Sequence, residues 1–244
     1  MFERTAMGTL QILAKAPSLS GLEPQILTRM ASLATTRTLS RGEFLWQAGD
    51  PARTMTILRA GLVKVVRPTP KGRSAICGIF GPPESVGDLA LLKDVPYPAG
   101  AVVATETATI VQIPRPMVME AMRQSPALAA SIASGMWNKL VALHNKIDVL
   151  SAGSVEARLA TLLLKLYDQF GDEYYSETSK IPVTLSRRDL AELVSTSFET
   201  AIRVMSRWAT EGVLETNTDG FTIHRLDTLR EIAGIFDAGE PSAE

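Results

Sequence analysis

The sequence predicts an α+β protein in which a jelly-roll-like β-roll, a double-stranded β-helix, precedes a long dimerisation helix and a C-terminal winged helix-turn-helix. Three observations predict this fold class. Short β-rich runs separated by glycines fill residues 36–113, and evenly spaced short strands are typical of sandwiches and barrels. An apolar stripe at helical spacing follows Pro126, and two capped helical patterns with a hairpin pattern occupy residues 184–225.

The N-terminal part of the chain carries helical and then β patterning. The predicted divisions are an N-terminal helical segment (1–33), a β-roll sensor domain (34–115), a short helix with the long dimerisation helix (116–152), a winged helix-turn-helix (153–236) and a disordered tail (237–244). One face of the N-terminal segment is apolar, through Leu22, Ile26, Leu27, Met30 and Leu33. In the β-roll, one hypothesis for Cys77 is a redox switch, but a lone cysteine in a strand pattern is usually buried and inert, which is what we expect here.

The long helix pattern that follows Pro126 allows two interpretations. Its apolar positions can pack on the preceding β domain, or they can pair with the same helix of a second copy. A homodimer of that kind fits a palindromic DNA site. The candidate dimer interface consists of Met136, Leu140, Leu143, Ile147 and Leu150.

The helix-turn-helix pattern begins at Ser186, which forms a capping-box-like pair with Asp189. The apolar face of the first helix consists of Leu185, Leu190, Leu193 and Val194. A tight turn at Ser195-Thr196 leads to Ser197, the candidate N-cap of the second helix. Core-facing positions of the second helix are Ala201, Val204, Met205 and Trp208, and the opposite side carries Glu199, Ile202, Arg203 and Ser206.

The exposed side of the second helix contains a glutamate and an arginine one turn apart. A helix-turn-helix places this half of its second helix in the major groove. There Arg203 can donate two hydrogen bonds to guanine, and Glu199 can accept from cytosine. The same spacing also fits a solvated salt bridge, so the helix pattern alone leaves both interpretations open. The hairpin pattern of 215–225, with Asp219-Gly220 between threonine-rich runs, favours a winged, DNA-binding domain.

Composition excludes several classes of protein. Among 244 residues there are one cysteine and two histidines, too few for an internal disulfide, a structural zinc site or a cysteine-held iron–sulfur cluster within one chain. No charge-free run approaches membrane-spanning length and no secretory start is recognisable, so we expect a cytoplasmic protein without membrane association. No convergent set of acids, bases or metal ligands indicates an enzyme. The net charge of −1 decides neither for nor against DNA.

The order of a β-roll, a long dimer helix and a winged helix-turn-helix resembles the CRP/FNR superfamily of bacterial transcription regulators. Four motifs carry the resemblance, and one of them, residues 61–65 (GLVKV), is similar to the strand that follows the early roll motif. Residues 41–50 (RGEFLWQAGD) are similar to the early roll motif, and 86–92 (VGDLALL) to the cassette that cradles cyclic-nucleotide phosphate. Residues 197–203 (SFETAIR) match the recognition-helix pattern S-x-E-T-x-x-R. The resemblance covers residues 10–232.

For DNA, the resemblance implies a homodimer on a palindromic operator with TGA-like half-sites, whose C·G and G·C pairs are recognised by Glu199 and Arg203. Phe198 stands where cAMP-type members have arginine. Ile202 replaces a frequent glycine or serine and is expected to contact a thymine methyl. RNA polymerase is a further expected partner if the protein is an activator. The candidate DNA-binding residues are Arg187, Arg188, Ser197, Phe198, Glu199, Thr200, Ile202 and Arg203.

For the ligand cassette, this chain departs from the cAMP-binding members. Their phosphate-binding arginine-serine pair is Pro98-Ala99 here, which offers no side-chain donor. Asp88 replaces the longer glutamate that takes the ribose hydroxyl, and the adenine-reading threonine-serine pair becomes Leu143-His144. We therefore expect no cAMP binding, and the cysteine-free N-terminus argues against the iron–sulfur sensor. The candidate effector pocket consists of Gly87, Asp88, Leu89, Leu92, Pro98, Ala99, Val102, Leu143 and His144.

The signal itself stays open at this point. One hypothesis is a haem-based gas or redox sensor with His144 as axial ligand, although a lone histidine more often forms a simple hydrogen bond. The other hypotheses are an apolar or organic-acid ligand in the same pocket, or no ligand at all. A cyclic-nucleotide-binding regulatory protein is a further alternative, but it would need the phosphate-binding arginine and no recognition helix.

Overall fold

The structure, a computed structural model, describes residues 2–68, 74–171 and 179–235. It divides the chain into two units, residues 1–143 and 144–244. The first unit holds the helical N-terminus, the larger sheets and most of the long helix, and the second holds the remaining helices and a small sheet. The α+β class is therefore confirmed. The predicted disordered tail lies outside the described residues.

The N-terminal segment is helical, as its patterning predicts. It consists of α1 (Phe2–Lys15), a 3₁₀ helix (Pro17–Leu19) and α2 (Pro24–Leu33). Pro24 lies in the first turn of α2, where a backbone N–H has no helical partner to lose. Leu22, Leu27 and Met30 of the predicted apolar face are buried, whereas Leu33 at the end of α2 is exposed.

A jelly roll follows. Its strands are β1 (Thr35–Ser40), β2 (Phe44–Trp46), β3 (Thr54–Ala60), β4 (Val63–Pro68), β5 (Ser74–Phe80), β6 (Ser85–Val86), β7 (Gly100–Val103) and β8 (Thr107–Pro114). They form nested antiparallel pairs, β4 with β5, β3 with β6, β2 with β7 and β1 with β8. Successive pairs belong to alternate sheets, β1-β8-β3-β6 and β2-β7-β4-β5. This nesting is the predicted jelly-roll arrangement.

The two sheets share one apolar core. Ile57 and Ile110 come from the first sheet and Val63 and Val103 from the second, and each is at most 1% exposed. The expectation that Cys77 is buried is wrong, because its side chain is exposed. Successive side chains of a strand point to opposite faces, so the burial of Ile76 in the same strand turns Cys77 outward.

Three helices complete the part of the chain around the roll: α3 (Asp88–Lys93), α4 (Arg115–Gln124) and α5 (Pro126–Ser151). Near the start of α5, Leu128 and Ile132 are buried against the roll core, and Met136 also packs on it. Beyond Met136 the apolar stripe becomes exposed. Within the described ranges, none of the helices combines the length and the apolar character that a bilayer crossing requires.

The second unit contains a helix-turn-helix and a three-stranded sheet. Its elements are α6 (Val155–Phe170), β9 (Ser179–Ile181), α7 (Arg187–Leu193), α8 (Phe198–Thr210), β10 (Leu214–Asn217), β11 (Gly220–Ile223) and α9 (Leu226–Ala233). The antiparallel sheet has the order β10-β11-β9. Trp208 of α8 and Leu229 of α9 are fully buried.

The wing hairpin forms where the sequence predicts it, with one shift. Asn217 pairs with Gly220, so Thr218 and Asp219 make the turn and Gly220 is the first residue of β11. A Cβ at Gly220 would lie 2.0 Å from the carbonyl oxygen of Ile181. Glycine is therefore required by the close approach of β9 rather than by the turn itself.

Candidate DNA-binding surface and ligand cassette

The helix-turn-helix is held together by its predicted caps. The Ser186 hydroxyl accepts from the Asp189 N–H at 3.1 Å, and the Asp189 carboxylate accepts from the Ser186 N–H at 3.0 Å, which completes a capping box. The Ser197 hydroxyl accepts from the Thr200 N–H at 3.1 Å at the start of α8. Both cap predictions are confirmed. The hydroxyls of Ser197 and Thr200 also lie 3.0 Å apart.

The turn between α7 and α8 depends on a residue that sequence reasoning missed. Ser195 has a positive φ of 52°, and the carbonyl before it lies at the end of α7. Arg158 of α6 donates from Nη1 to the carbonyl oxygen of Val194 at 2.8 Å. Carbonyls at a helix C-terminus lack intrahelical partners, so this guanidinium stabilises the turn. A long-range contact of this kind has no local signal in the sequence.

The predicted division of α8 into two faces is confirmed. One face is buried through Ala201, Val204, Met205 and Trp208. The other face exposes Glu199, Ile202, Arg203 and Ser206. Among the described residues, Glu199 and Arg203 form no ion pair with each other or with any other group. The solvated salt bridge that competes with base reading is therefore not formed, and both charged ends are available to a partner.

Two apolar side chains lie beside these charges. Phe198 is 41% exposed and Ile202 is 37% exposed, one helical turn apart on α8. The guanidinium carbon of Arg188 lies 5.8 Å from the centre of the Phe198 ring, within cation–π range. Arg188 is the second residue of α7, so this contact connects the two helices at their N-terminal ends.

The other two arginines of the helix pair have partners inside the domain. Arg187 is half-buried and donates to the Thr216 hydroxyl of β10 at 2.8 Å, and burial lowers the pKa of its guanidinium. Arg207 contacts the carboxylates of Glu156 and Glu211, and its hydrogen bond to Glu156 raises the pKa of Arg207. Arg187 therefore connects α7 to the wing. The sequence predicted Arg187 only as a DNA contact and gave no sign of this structural role.

The Glu156 carboxylate also reaches the core of α8. It accepts from the indole Nε1 of Trp208 at 3.2 Å as well as from Arg207. Glu156 lies in the first turn of α6, so it joins the start of that helix to the C-terminal half of α8. The sequence contains no local signal for this pairing either.

In the roll, the cassette begins at Gly87, which has a φ of 82°. A Cβ at this position would lie 2.6 Å from Tyr97 Cε1 and 3.0 Å from Trp46 Cζ2. The rings of Trp46 and Tyr97 stack with their centres 4.1 Å apart, and both side chains are buried. The space beside the cassette glycine is therefore filled by an aromatic pair, which sequence reasoning did not identify.

Three polar groups in and beside the cassette bond to neighbours within the roll. Asp88 is 5% exposed, and its carboxylate accepts from the Ser85 hydroxyl at 2.6 Å. The carbonyl oxygen of Ala99 accepts from Trp46 Nε1 at 3.0 Å. The Tyr97 hydroxyl donates to the Thr54 carbonyl at 3.3 Å, and burial together with the nearby Asp88 charge raises the pKa of Tyr97 to about 12.

The remaining predicted pocket residues differ in exposure. Leu89 and Pro98 are exposed, Leu92 and Ala99 are half-buried, and Val102 is buried. Arg115, which sequence reasoning missed, donates to the Leu91 carbonyl at 2.8 Å and anchors the end of α3.

The last two predicted pocket residues lie on α5. Leu143 ends the first unit and His144 begins the second, and both are exposed. The place of Leu143 and His144 in the pocket, and of His144 as a haem ligand, stays a prediction.

Domain families and individual proteins with similar sequences both indicate the same superfamily. Residues 36–125 match the cyclic nucleotide-binding domain family, and residues 157–232 match the Crp-like helix-turn-helix domain family. The chain is 28% identical over 193 residues to the transcriptional activator protein anr of Pseudomonas aeruginosa, covering 79% of this chain and 77% of that protein. It is 26% identical over 204 residues to the CRP-like cAMP-activated global transcriptional regulator of Mycobacterium tuberculosis, covering 83% and 89%.

Solved structures show the same fold. A CRP-family transcriptional regulator from Thermus thermophilus superposes with a TM-score of 0.68 at 23% identity, covering 81% of this chain and 96% of that one. FixK2 from Bradyrhizobium japonicum also gives 0.68, at 18% identity, covering 82% and 96%. The chain thus belongs to the CRP/FNR superfamily, as a transcription regulator that joins a cyclic nucleotide-binding-type domain to a helix-turn-helix.

Proposed function

We propose that the protein is a homodimer that binds a palindromic DNA site and reads two TGA-like half-sites through α8. The observation that carries this proposal is the state of Glu199 and Arg203, which are exposed and, within the described residues, unpaired. An arginine without an internal partner keeps both donors for guanine O6 and N7, and a glutamate keeps its acceptors for cytosine N4. The buried face of α8 fixes the helix behind them.

The homodimer is supported by the exposed part of α5. Leu140, Leu143, Ile147 and Leu150 are 43%, 54%, 59% and 39% exposed, and Trp137 beside them is 63% exposed. Contiguous exposed apolar side chains on a helix indicate an interface. A second copy is the occupant that a two-fold symmetric operator requires, because two recognition helices must reach half-sites about one helical turn apart.

The signal that we propose for the roll is not a cyclic nucleotide. The Mycobacterium tuberculosis relative is cAMP-activated according to its name. In this chain the ring pair of Trp46 and Tyr97 fills the space beside Gly87, and the Asp88 carboxylate accepts from Ser85. A cyclic phosphate would meet Pro98 and Ala99, which provide no side-chain donor, and would have to displace these internal contacts.

The test of base reading uses one atom of the DNA and one side chain of the protein. A duplex with two TGA half-sites is compared with the same duplex in which 7-deazaguanine replaces the half-site guanine, which removes only the N7 acceptor. Fluorescence anisotropy should show that this weakens binding of the parent by about threefold to tenfold per half-site, since a bidentate arginine–guanine pair provides roughly 1–3 kcal/mol of discrimination. The Arg203→Ala variant should bind both duplexes equally.

The matched control is Arg230→Ala, which removes the same charge from α9, where Arg230 lies beside Asp227. This variant should keep the parent's sensitivity to 7-deazaguanine. If Arg203→Ala also retained that sensitivity, or if it weakened random and palindromic DNA equally, Arg203 would not read the guanine.

A further inference from the structure

We propose that Phe198 is a positioning residue, which holds the Arg188 guanidinium at the DNA-facing edge of the helix pair so that it binds a backbone phosphate. The proposal rests on the proposed function, because it assigns a partner to that same surface. It gives an apolar residue at the start of α8 a role in the sequence-independent part of DNA binding.

The surroundings of Arg188 differ from those of its neighbour. Arg187 is half-buried and bonded to Thr216, whereas Arg188 is exposed and contacts the ring of Phe198. Within the described residues, the Arg188 guanidinium has no hydrogen-bond or ion-pair partner. The ring is thus the contact that restricts this side chain.

A ring contact leaves the arginine chemically available. A guanidinium is planar and carries five N–H donors along its edges. A ring at the 5.8 Å distance of Phe198 attracts the guanidinium without accepting a hydrogen bond from those donors. A carboxylate partner, like Glu156 beside Arg207, would instead occupy the donors and cancel the charge. Arg188 is therefore both restricted and free to donate to an anion.

A phosphate is the anion that this location favours. In a helix-turn-helix the first helix crosses the DNA backbone, while the second enters the major groove. Arg188 lies in the first turn of α7, the helix that crosses the backbone, so we place its donors at the sugar–phosphate backbone rather than at base edges. Arginine also matches a phosphate with two parallel hydrogen bonds. Restricting the side chain before binding reduces the conformational entropy that is lost on contact.

The experiment is a double-mutant cycle on DNA affinity, measured by fluorescence anisotropy on a random-sequence duplex at several salt concentrations. The variants are Arg188→Ala, Phe198→Leu and both together, with Phe198→Tyr as the conservative variant that keeps a ring. Arg188→Ala should reduce the slope of log affinity against log salt by about 0.9, the value for one lost phosphate contact. Phe198→Leu should weaken binding by about twofold to fivefold, as expected for an exposed cation–π pair.

The decisive outcome is the coupling between the two positions. In the Arg188→Ala background, Phe198→Leu should cause no further loss of affinity for random DNA. Phe198→Tyr alone, which keeps a ring, should bind random DNA with the affinity of the parent. Equal losses from Phe198→Leu in both backgrounds would overturn the proposal. Thermal unfolding of each variant identifies any that fail to fold. If Phe198→Leu fails to fold, Phe198→Tyr is compared with the parent instead. We expect an unchanged affinity and salt slope for Phe198→Tyr, and a reduced salt slope would contradict the proposal.

Base reading is tested separately by Arg203→Ala on the palindrome. If Arg203→Ala loses the discrimination against 7-deazaguanine but Arg188 and Phe198 are not coupled on random DNA, only the role of Phe198 is overturned. If Arg188 and Phe198 are coupled on random DNA but the parent does not discriminate against 7-deazaguanine, the positioning role of Phe198 is supported and the proposed function is contradicted.

Discussion

The cassette of the roll and the N-terminal half of α8 use their polar groups in opposite ways. In the cassette, Asp88 is buried and accepts from Ser85, and the Ala99 carbonyl accepts from Trp46. On α8, Glu199 and Arg203 are exposed and have no partner among the described residues. Both regions carry motifs of the same superfamily. The polar groups of the cassette bond to other residues of the roll, whereas those of α8 are exposed to solvent.

The difference shows why a motif match does not by itself assign a ligand. A binding group must exchange water for the ligand, and this exchange costs little when the group is exposed. A group that already has a buried internal partner must lose that bond first, and an unsatisfied buried polar group costs about 1–3 kcal/mol. We therefore interpret the matched cassette of 86–92 as a structural part of the roll, and we propose the matched helix of 197–203 as the surface for a partner.

The largest effect is expected from a charge placed in the proposed dimer interface on α5. Leu140→Glu would place two carboxylates in an apolar interface, where an uncompensated buried charge costs on the order of 3–5 kcal/mol. Palindrome affinity should fall by roughly a hundredfold or more, while weak half-site binding persists because α8 is unchanged. Sedimentation should show a monomer. Ser134→Glu places the same charge at an exposed position of α5 away from the stripe and should leave the dimer intact; a dimer that survives Leu140→Glu would place the interface elsewhere.

An intermediate effect is expected from closing the space beside the cassette glycine. Gly87→Ala adds a Cβ 2.6 Å from Tyr97 Cε1, whereas Gly42→Ala at a similar φ of 83° meets no atom within 4 Å. Both variants carry the strain of a left-handed alanine, about 1–2 kcal/mol. Urea unfolding should show that Gly87→Ala costs about 1–3 kcal/mol more, because overpacking is added. Equal losses would mean that Trp46 and Tyr97 do not fill this space tightly.

The smallest effect is expected from Tyr97→Phe at neutral pH, which removes a hydrogen bond worth about 0.5–1.5 kcal/mol. The pH dependence should separate the variants further. The pKa of Tyr97 is raised from 10.0 to about 12, so its burial stabilises the fold below pH 10, and this contribution is lost as the pH rises towards 12. Denaturant unfolding between pH 10 and 12 should show a shallower loss for Tyr97→Phe than for the parent; parallel curves would contradict a buried, neutral Tyr97.

Local patterns predicted the fold and one face of the candidate site. The capping pairs of Ser186 and Ser197, the two faces of α8 and the strand runs all depend on residues a few positions apart, where periodicity and turn chemistry act. The cassette could not be predicted in the same way. Trp46 and Ala99 are 53 positions apart, so their contact depends on how the sheets pack. The same is true of Arg158 with Val194, 36 positions apart.

Two wrong or shifted expectations have simpler physical causes. Cys77 was expected inside because it lies in a strand, but strand alternation with the buried Ile76 turns it outward. Gly220 belongs to β11 rather than to the turn because it pairs with Asn217. It is a glycine because the Ile181 carbonyl lies too close for any side chain.

We propose that α8 is open to DNA while the cassette is closed to cyclic nucleotides. It is tested most directly by the ratio of affinities for a TGA palindrome and a scrambled duplex of equal length, measured with and without cAMP. Asp88 and Ala99 bond to neighbours within the roll, whereas Glu199 and Arg203 have no ion-pair partner among the described residues. We therefore expect the palindrome to be preferred and the ratio to be unchanged by cAMP at millimolar concentration. A ratio near one in every condition, or a palindrome affinity that rises only when cAMP is added, would contradict the account.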